Sequence, residues 1–338
     1  MIREAIQELV AGKDLDRAFA RSAMDDIMGG EAGEALVAGF LVALRMKGES
    51  VDEMIGMVES MRAHGTTISA PADAVDTCGT GGDRSGTFNI STSAALVMRG
   101  AGATVAKHGG RASSSSCGSA DVLEALGVVV TLPAPAAEEC LRRAGIAFLF
   151  APNFHPAMRH AGVPRRELGI RTVFNLLGPL ANPAQVRRQA VGVGAPEATE
   201  KMARVLAALG HEKALVFHGA GGLDELSTEG PSQVFEVSGG EVTTFQLDPV
   251  RLGLPPATRE DLRGGDAPAN AEIVRSVLDG AAGPCRDVVL LNAAAGLLAA
   301  GRVAAMEEGL AAAAASIDSG AARTALEDLV RVSRELAA

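Results

Sequence analysis

The sequence predicts an α/β protein: a small all-α domain followed by a large domain whose mostly parallel sheet is flanked by helices. Three observations predict it. Residues 1–69 carry helical periodicity and no strand pattern. After Pro71, short β-branched runs alternate with glycine loops and Ala/Leu-rich helices. The composition is rich in Ala and Gly with no Trp and no Tyr, so the core packs small and branched aliphatics, as helices on a parallel sheet require.

In the first segment, apolar residues recur at helical spacing in Ile2, Ile6, Leu9 and Val10, in Leu36, Phe40, Leu41 and Leu44, and in Met54, Met57, Val58 and Met61. Asp14 or Asp16 caps a second helix, and Ser50 with Glu53 opens the last one as a capping box. Strands are expected over 74–77, 104–106, 128–131, 147–150, 190–193 and 213–218. Helices are expected between them over 91–100, 121–126, 136–144 and 198–209, with Asp121 and Glu124 as a second capping box. Residues 233–245 read as strands of an antiparallel kind, and the last hundred residues return to helix, including the Ala-rich 306–316. The segment 164–182 starts basic and reads as chain returning to the helical domain. The domain division expected is 1–69 and 70–338, joined again near 164–185.

Bulk properties bound the function. With 338 residues, 47% apolar and 21% charged, the chain buries a sizeable core and is not disordered. A net charge of −10 repels a phosphate backbone and argues against sequence-independent nucleic-acid binding. The four cysteines form no Cys-x-x-Cys pair, which argues against a zinc site and for free thiols in a reducing cytoplasm. The N-terminus lacks the apolar core of a signal peptide. The most apolar stretch, 288–300, is interrupted by Asn292 and is shorter than the ~20 residues a bilayer needs.

Two loops carry chemistry. A strand runs into Gly79-Thr80-Gly81-Gly82-Asp83, and a helix follows. Glycines let the backbone approach a ligand closely, and amides at a helix start face anions. The loop is not a Rossmann fingerprint, because Arg84 stands where the third glycine belongs. It is not a Walker A loop either, because Thr87 and Phe88 follow Gly86. An acid such as Asp83 in a phosphate loop must face a sugar hydroxyl or a metal. The hydroxyls of Asn89-Ile90-Ser91-Thr92-Ser93 either cap the next helix or contact a phosphate or a metal-bound water. The second loop, from Lys107 through five serines to Asp121, reads as a solvated linker or as a second anion cradle of one lysine, hydroxyls and amides. Two adjacent cradles imply a ligand with two phosphate groups.

Together with Phe150-Ala-Pro-Asn-Phe-His-Pro-Ala-Met158, the run from Leu168 to Leu180 and Gly222-Leu-Asp-Glu-Leu226, these motifs resemble the anthranilate phosphoribosyltransferases over residues 1–330. The resemblance implies a nucleoside phosphorylase/phosphoribosyltransferase-like fold and a homodimer. It implies transfer of the 5-phosphoribosyl group of phosphoribosyl diphosphate to anthranilate in tryptophan biosynthesis, with Mg²⁺, two ions per site. Gly79, Gly82, Asp83, Thr87, Asn89, Ile90, Ser91, Thr92, Lys107, His108, Gly109, Gly110, Arg111, Ala112, Ser113, Ser114, Ser115 and Ser119 would surround the donor. Ser91, Asp224 and Glu225 would hold Mg²⁺. Anthranilate would lie among Gly79, His108, Gly109, Gly110, His155, Met158, Arg165 and Gly178. Catalytic roles fall to Lys107, His108 and Arg165: charge on the leaving group, orientation or deprotonation of the amine, and pairing with the carboxylate. One departure stands out: the family usually has Asn where this chain has Gly110. A pyrimidine nucleoside phosphorylase of the same fold and a non-enzymatic nucleic-acid-binding relative are the rival readings. The dimer face is expected on the N-terminal helices, through Ile6, Val10, Leu36 and Phe40.

Overall fold

The computed structural model describes residues 1–112 and 116–338. Four helices open the chain: α1 (Ile2–Val10), α2 (Arg17–Met28), α3 (Glu34–Lys47) and α4 (Val51–Ala63). Asp16, not Asp14, caps α2, its Oδ1 accepting from the Phe19 N–H at 2.8 Å. The Ser50 capping box forms in both directions: Ser50 Oγ accepts from the Glu53 N–H at 3.2 Å, and Glu53 Oε2 accepts from the Ser50 N–H at 2.7 Å. Glu53 is fully buried, and it tolerates this because it also accepts from the Leu15 N–H and from Lys47 Nζ. Met24, Ile27, Phe40, Leu41, Leu44, Met54 and Met57 are wholly buried among these helices, each contributing roughly 1.5–3 kcal/mol. Phe40 is therefore core. It cannot belong to a dimer face, where helical periodicity had placed it.

The remainder is built on a seven-stranded sheet: β1 (Val75–Gly79), β2 (Val105–Gly109), β3 (Ile146–Phe150), β4 (Arg188–Gly192), β5 (Lys213–His218), β6 (Ser232–Ser238) and β7 (Glu241–Leu247), in the order β3-β2-β1-β4-β5-β6-β7. The first five in that order run parallel; β6 and β7 are antiparallel. Between strands lie α5 (Ile90–Gly100), α6 (Ser119–Leu126), α7 (Ala134–Ala144), α8 (Ala151–Phe154), α9 (Arg159–Leu168), α10 (Phe174–Leu180) and α11 (Pro196–Ala208). The chain closes with α12 (Ala267–Leu278), α13 (Pro284–Ala299), α14 (Met306–Asp318) and α15 (Ala321–Ala337). On one face α5 packs against α13, α14 and α15; on the other, α11 packs against β5, β6 and α4. No helix among the described residues is long and apolar enough to cross a membrane.

Residues 128–131 are not a strand. Their β-branched run does not pair with the edge strand β3; the Val129 N–H is satisfied instead by Ser333 Oγ of α15 at 3.0 Å. The helix expected to begin at Asp121 begins at Ser119, because Asp121 reaches back to the Gly118 N–H at 2.8 Å. The returning segment is largely helical: α9 packs on α2 and α3, and α10 on α4. After β1 the chain builds β2 and β3 to one side, then places β4 and β5 on the other. This switch opens a crevice at the carboxyl ends of β1 and β4, where ligands of such sheets bind.

Candidate active site

Most groups in the crevice are held by a strand end or by the loop that leaves it, and the rest sit on α5, α9 and α10. Gly79 ends β1, and the loop after it is stitched to the exit of β4: the Thr80 N–H donates to Gly192 O at 2.9 Å, and the Gly194 N–H donates to Thr80 Oγ1 at 3.0 Å. The loop after β5 brings in the acidic pair. Asp224 Oδ2 accepts from the Gly81 N–H at 2.6 Å, and Asp83 Oδ2 accepts weakly from the Asp224 N–H at 3.4 Å. Gly79 and Gly192 are required for this approach, because a Cβ on either would lie 2.1 Å from Asp224 Oδ2 or 1.8 Å from Asp224 O. Gly82, at φ +76°, supplies the left-handed turn that brings Asp83 round.

The positive end of α5 faces the same point. Its N-cap, Asn89, makes no side-chain cap bond; instead Glu225 Oε1 accepts from the Ser91 N–H at 3.1 Å. Asn89 spans two neighbours, donating to Cys117 O and accepting from Asn270. Ile90 points into the core, so only its backbone is available to the site. Thr92 is buried with Oγ1 unpartnered. Thr87 stays with Ser85, their hydroxyls 3.2 Å apart.

Lys107 and His108 are residues of β2 rather than of the loop that follows. Lys107 is buried, and its Nζ donates to Thr77 O at 2.6 Å and to Ser91 Oγ at 3.3 Å. Its charge acts on Glu225. Burial raises the pKa of Glu225, with Lys107 opposing the shift. Burial and then the charges of Asp83 and Glu225 hold the Asp224 pKa well above the ordinary carboxylate range. Asp224 and Glu225 are thus buried where their charge is unfavourable without a counter-cation, with Asp83 beside them.

His108 Nδ1 lies 3.2 Å from Gly178 O, so it carries the proton, and Nε2 is left as a buried acceptor without a partner. Burial, reinforced by His155, pushes the His108 pKa down to about 3. The ring is neutral near pH 7, which suits it to accept a hydrogen bond and orient a donor rather than to hold a full proton. Its neighbour His155, with ring centroids 5.3 Å apart, bonds Ala181 O through Nε2 at 2.8 Å.

Gly109 abuts Ser119, whose hydroxyl donates to Gly110 O at 3.2 Å. Around Gly110 and Gly178 an added Cβ would meet nothing within 4 Å, so both border open space. Arg165, on α9, is half-buried over the Phe174 ring at 5.1 Å. Among the described residues it has no carboxylate partner, and burial lowers its pKa. Met158 ends a short 3₁₀ turn before α9. Arg111 is otherwise engaged: it pairs with Asp121 at 2.8 Å and Glu124 at 2.6 Å, which leaves its guanidinium committed to α6. The Ala112 N–H donates to Asp121 as well. Ser113, Ser114 and Ser115 lie outside the described residues.

Residues that motif reading passed over hold this arrangement together. Asp76, wholly buried in β1, accepts from the His108 N–H at 3.2 Å, from Asn182 Nδ2 at 2.8 Å and from Gln189 Nε2 at 3.3 Å. Asn292 grips Leu226 by both backbone groups, each at 2.9 Å, and so fixes the acidic pair from α13. Polar residues inside otherwise apolar strands and helices were the available signal.

Comparisons with known proteins agree with this geometry. Residues 3–65 match the model of the helical bundle domain of a glycosyl transferase family, and residues 71–323 match its a/b domain. An anthranilate phosphoribosyltransferase of Moorella thermoacetica is 54% identical over 98% of both chains. The crystal structure of the Thermus thermophilus enzyme superposes with a TM-score of 0.93 at 43% identity, covering 98% of this chain and 99% of that one. The Saccharomyces cerevisiae enzyme in complex with PRPP and Mg gives 0.91 at 29% identity, covering 99% and 98%; the same enzyme has been solved with 4-fluoroanthranilate. With its two domain models matched in order and its relatives matched end to end, the chain belongs to the anthranilate phosphoribosyltransferase family.

Proposed function

We propose that the chain transfers the 5-phosphoribosyl group of phosphoribosyl diphosphate to the amine of anthranilate, as a Mg²⁺-dependent, cytoplasmic homodimer of tryptophan biosynthesis. The amine lone pair forms the N–C1 bond, the C1–O bond breaks with its electrons leaving on diphosphate, and the amine proton passes to solvent. The observation that carries this reading is the convergence of Asp83, Asp224 and Glu225 on the glycine loop and the N-terminus of α5, with Lys107 beside them.

That acid cluster fits Mg²⁺. Burial and then the neighbouring acids raise the Asp224 pKa, and a divalent cation would offset that cost. An ion that arrives with phosphate oxygens needs only one or two protein carboxylates. Asp224 and Glu225, with Ser91 Oγ, would hold two such ions. When bound, Mg²⁺ supplies charge stabilisation to the departing diphosphate. Lys107 adds a fixed positive charge, and the amides of Gly82, Asp83 and Thr92 receive phosphate oxygens. His108 Nε2 accepts from the aromatic amine and holds its lone pair toward C1. Arg165, lacking an acid of its own, takes the anthranilate carboxylate at the edge of the open space by Gly110 and Gly178. With the chain divided as 1–69 and 70–338 and with 164–185 returning to the helices, this acceptor region would lie between the two bodies. Within the dimer face we retain Ile6, Val10 and Leu36.

The test is direct: incubate the protein with both substrates and follow the loss of anthranilate fluorescence with and without Mg²⁺. Turnover that needs all three supports the assignment; activity only with other amines, or only phosphorolysis of a nucleoside, would sink it. In the same assay His108→Ala should lower kcat/KM for anthranilate roughly tenfold, the loss of about one well-placed hydrogen bond.

A further inference from the structure

Arg171 lies between α9 and α10, on the returning segment that also carries Arg165 and Gly178. Its side chain nevertheless serves the other half of the site. Nη1 donates to Gly82 O at 3.1 Å and reaches Gly194 O at 3.5 Å, so one guanidinium spans the loop after β1 and the loop after β4. Gly82 packs directly on it: a Cβ there would touch the guanidinium carbon at 3.4 Å, and a Cβ on Gly194 would meet Nη1 at 3.1 Å. The same two loops are joined above by Thr80. Among the described residues Nη2 is buried without a hydrogen-bond partner. An arginine kept only for stability would have its donors satisfied or would sit in an ion pair, because an unmet buried N–H is costly.

We propose that Arg171 is a positioning residue for the donor: it fixes the glycine loop 79–83 from the returning segment, so that donor-loop order depends on how that segment packs. This rests on the phosphoribosyl-transfer reading for its substrate, but the loop contact stands on geometry alone. Both bonds leave one nitrogen, so a lysine ammonium can replace them only in part: it lacks the planar guanidinium that packs on Gly82.

The test uses full-length protein carrying Arg171→Ala or Arg171→Lys, with two readouts. Amide hydrogen exchange of the ligand-free protein should be faster across residues 79–83 in R171A and intermediate in R171K. Initial rates at saturating Mg²⁺ should show the KM for phosphoribosyl diphosphate raised about tenfold in R171A, as the loss of one to two charge-assisted hydrogen bonds allows, with the KM for anthranilate within about twofold. Unchanged exchange at 79–83 overturns the proposal. So does a lowered Tm with an unchanged donor KM, which marks a purely structural arginine. If R171A does not fold, R171K carries the same comparison. If the wild-type protein fails to turn over the two substrates, the functional reading falls, while the exchange experiment still decides on Arg171.

Discussion

Replacing Gly79 by alanine gives the sharpest test of how the crevice is built. Gly79 has no left-handed φ, so the substitution asks nothing unusual of the backbone at that residue. The added methyl would lie 2.1 Å from Asp224 Oδ2, 2.7 Å from its carboxyl carbon and 2.9 Å from its backbone oxygen. Ordinary contact begins near 3.4 Å, so the carboxylate must withdraw by about 1.3 Å, and the Asp224 backbone must follow. The bond from the Gly81 N–H to Asp224 Oδ2, 2.6 Å long, is lost with it. Displacing a binding group by about 1 Å costs on the order of 10²-fold, or roughly 2.7 kcal/mol of transition-state stabilisation. The expected result is kcat/KM for phosphoribosyl diphosphate down about a hundredfold and a higher Mg²⁺ concentration for half-maximal rate, read by anthranilate fluorescence. Gly81→Ala is the control: its Cβ meets nothing within 4 Å, but φ is +72°, so only backbone strain of ~1–2 kcal/mol is introduced. A Gly79→Ala enzyme within about threefold of wild type would refute the steric argument. So would a Gly81→Ala enzyme damaged equally in its Mg²⁺ requirement.

Gly110→Asn restores the residue usual in the family at a place with free space and no left-handed φ; Tm should be unchanged and the KM for anthranilate should fall about fivefold, the worth of ~1 kcal/mol. The pH dependence of stability should carry an acid limb from His211, which is buried, bonded to Leu206 O through Nδ1, and pushed down to about 4 by burial and then by Arg62. Between its ordinary value of 6.5 and about 4 the unfolded chain binds the proton and the folded chain does not. Stability is therefore full above pH 6.5 and falls as pH drops, by about 3 kcal/mol, levelling off below 4. His108, and His155, whose pKa burial also lowers, add to the same limb. Urea unfolding of His211→Gln should show a flatter slope between pH 6.5 and 4, by up to about 1.4 kcal/mol per pH unit; an unchanged slope means that His211 is not the titrating group. Val10 is 74% exposed on α1, so Val10→Asp should shift sedimentation toward monomer without lowering Tm, and a variant that stays dimeric removes α1 from the interface.

What was legible in the sequence was local. Ser50 and Glu53 announce a helix start because both partners lie within one turn, and the glycine loop announces itself because backbone freedom is written in residue type. What was not legible depends on partners far away in the chain. Asp76 reads as an ordinary polar residue in a strand until Asn182, 106 residues on, is folded against it. Asn292 interrupts an apolar run, which spoke only against a membrane span; its partner Leu226 shows that it anchors the acidic loop. Residues 128–131 have strand composition, but the Val129 N–H is claimed by Ser333, 204 residues on, and a strand is decided by pairing. Arg111 and Lys107 are both cations near the serine loop. The acids Asp121 and Glu124 claim the first, and the second is drawn inward to Thr77 O and Ser91.

The two halves of the crevice are built differently, and this bears on where substrate choice can drift. The proposed donor half is largely backbone, with the acids and Lys107 set among strand ends, loop amides and a helix terminus, and with Gly79 and Gly192 closed against Asp224. A side chain added at Gly79 or Gly192 collides, so the chemistry there is fixed by the fold itself. The acceptor half is side chains and space: His108 with one free nitrogen, Arg165 without an acid partner, and open surroundings at Gly110 and Gly178. A side chain added there meets nothing, so the acceptor can change at little cost in stability. Substitutions at Gly110 and Gly178 should therefore alter the range of aromatic amines accepted while the KM for phosphoribosyl diphosphate holds. A panel of ring-substituted anthranilates measured against both glycine variants would show it, and a donor KM that moved in step with the acceptor KM would mean that the two halves are one surface after all.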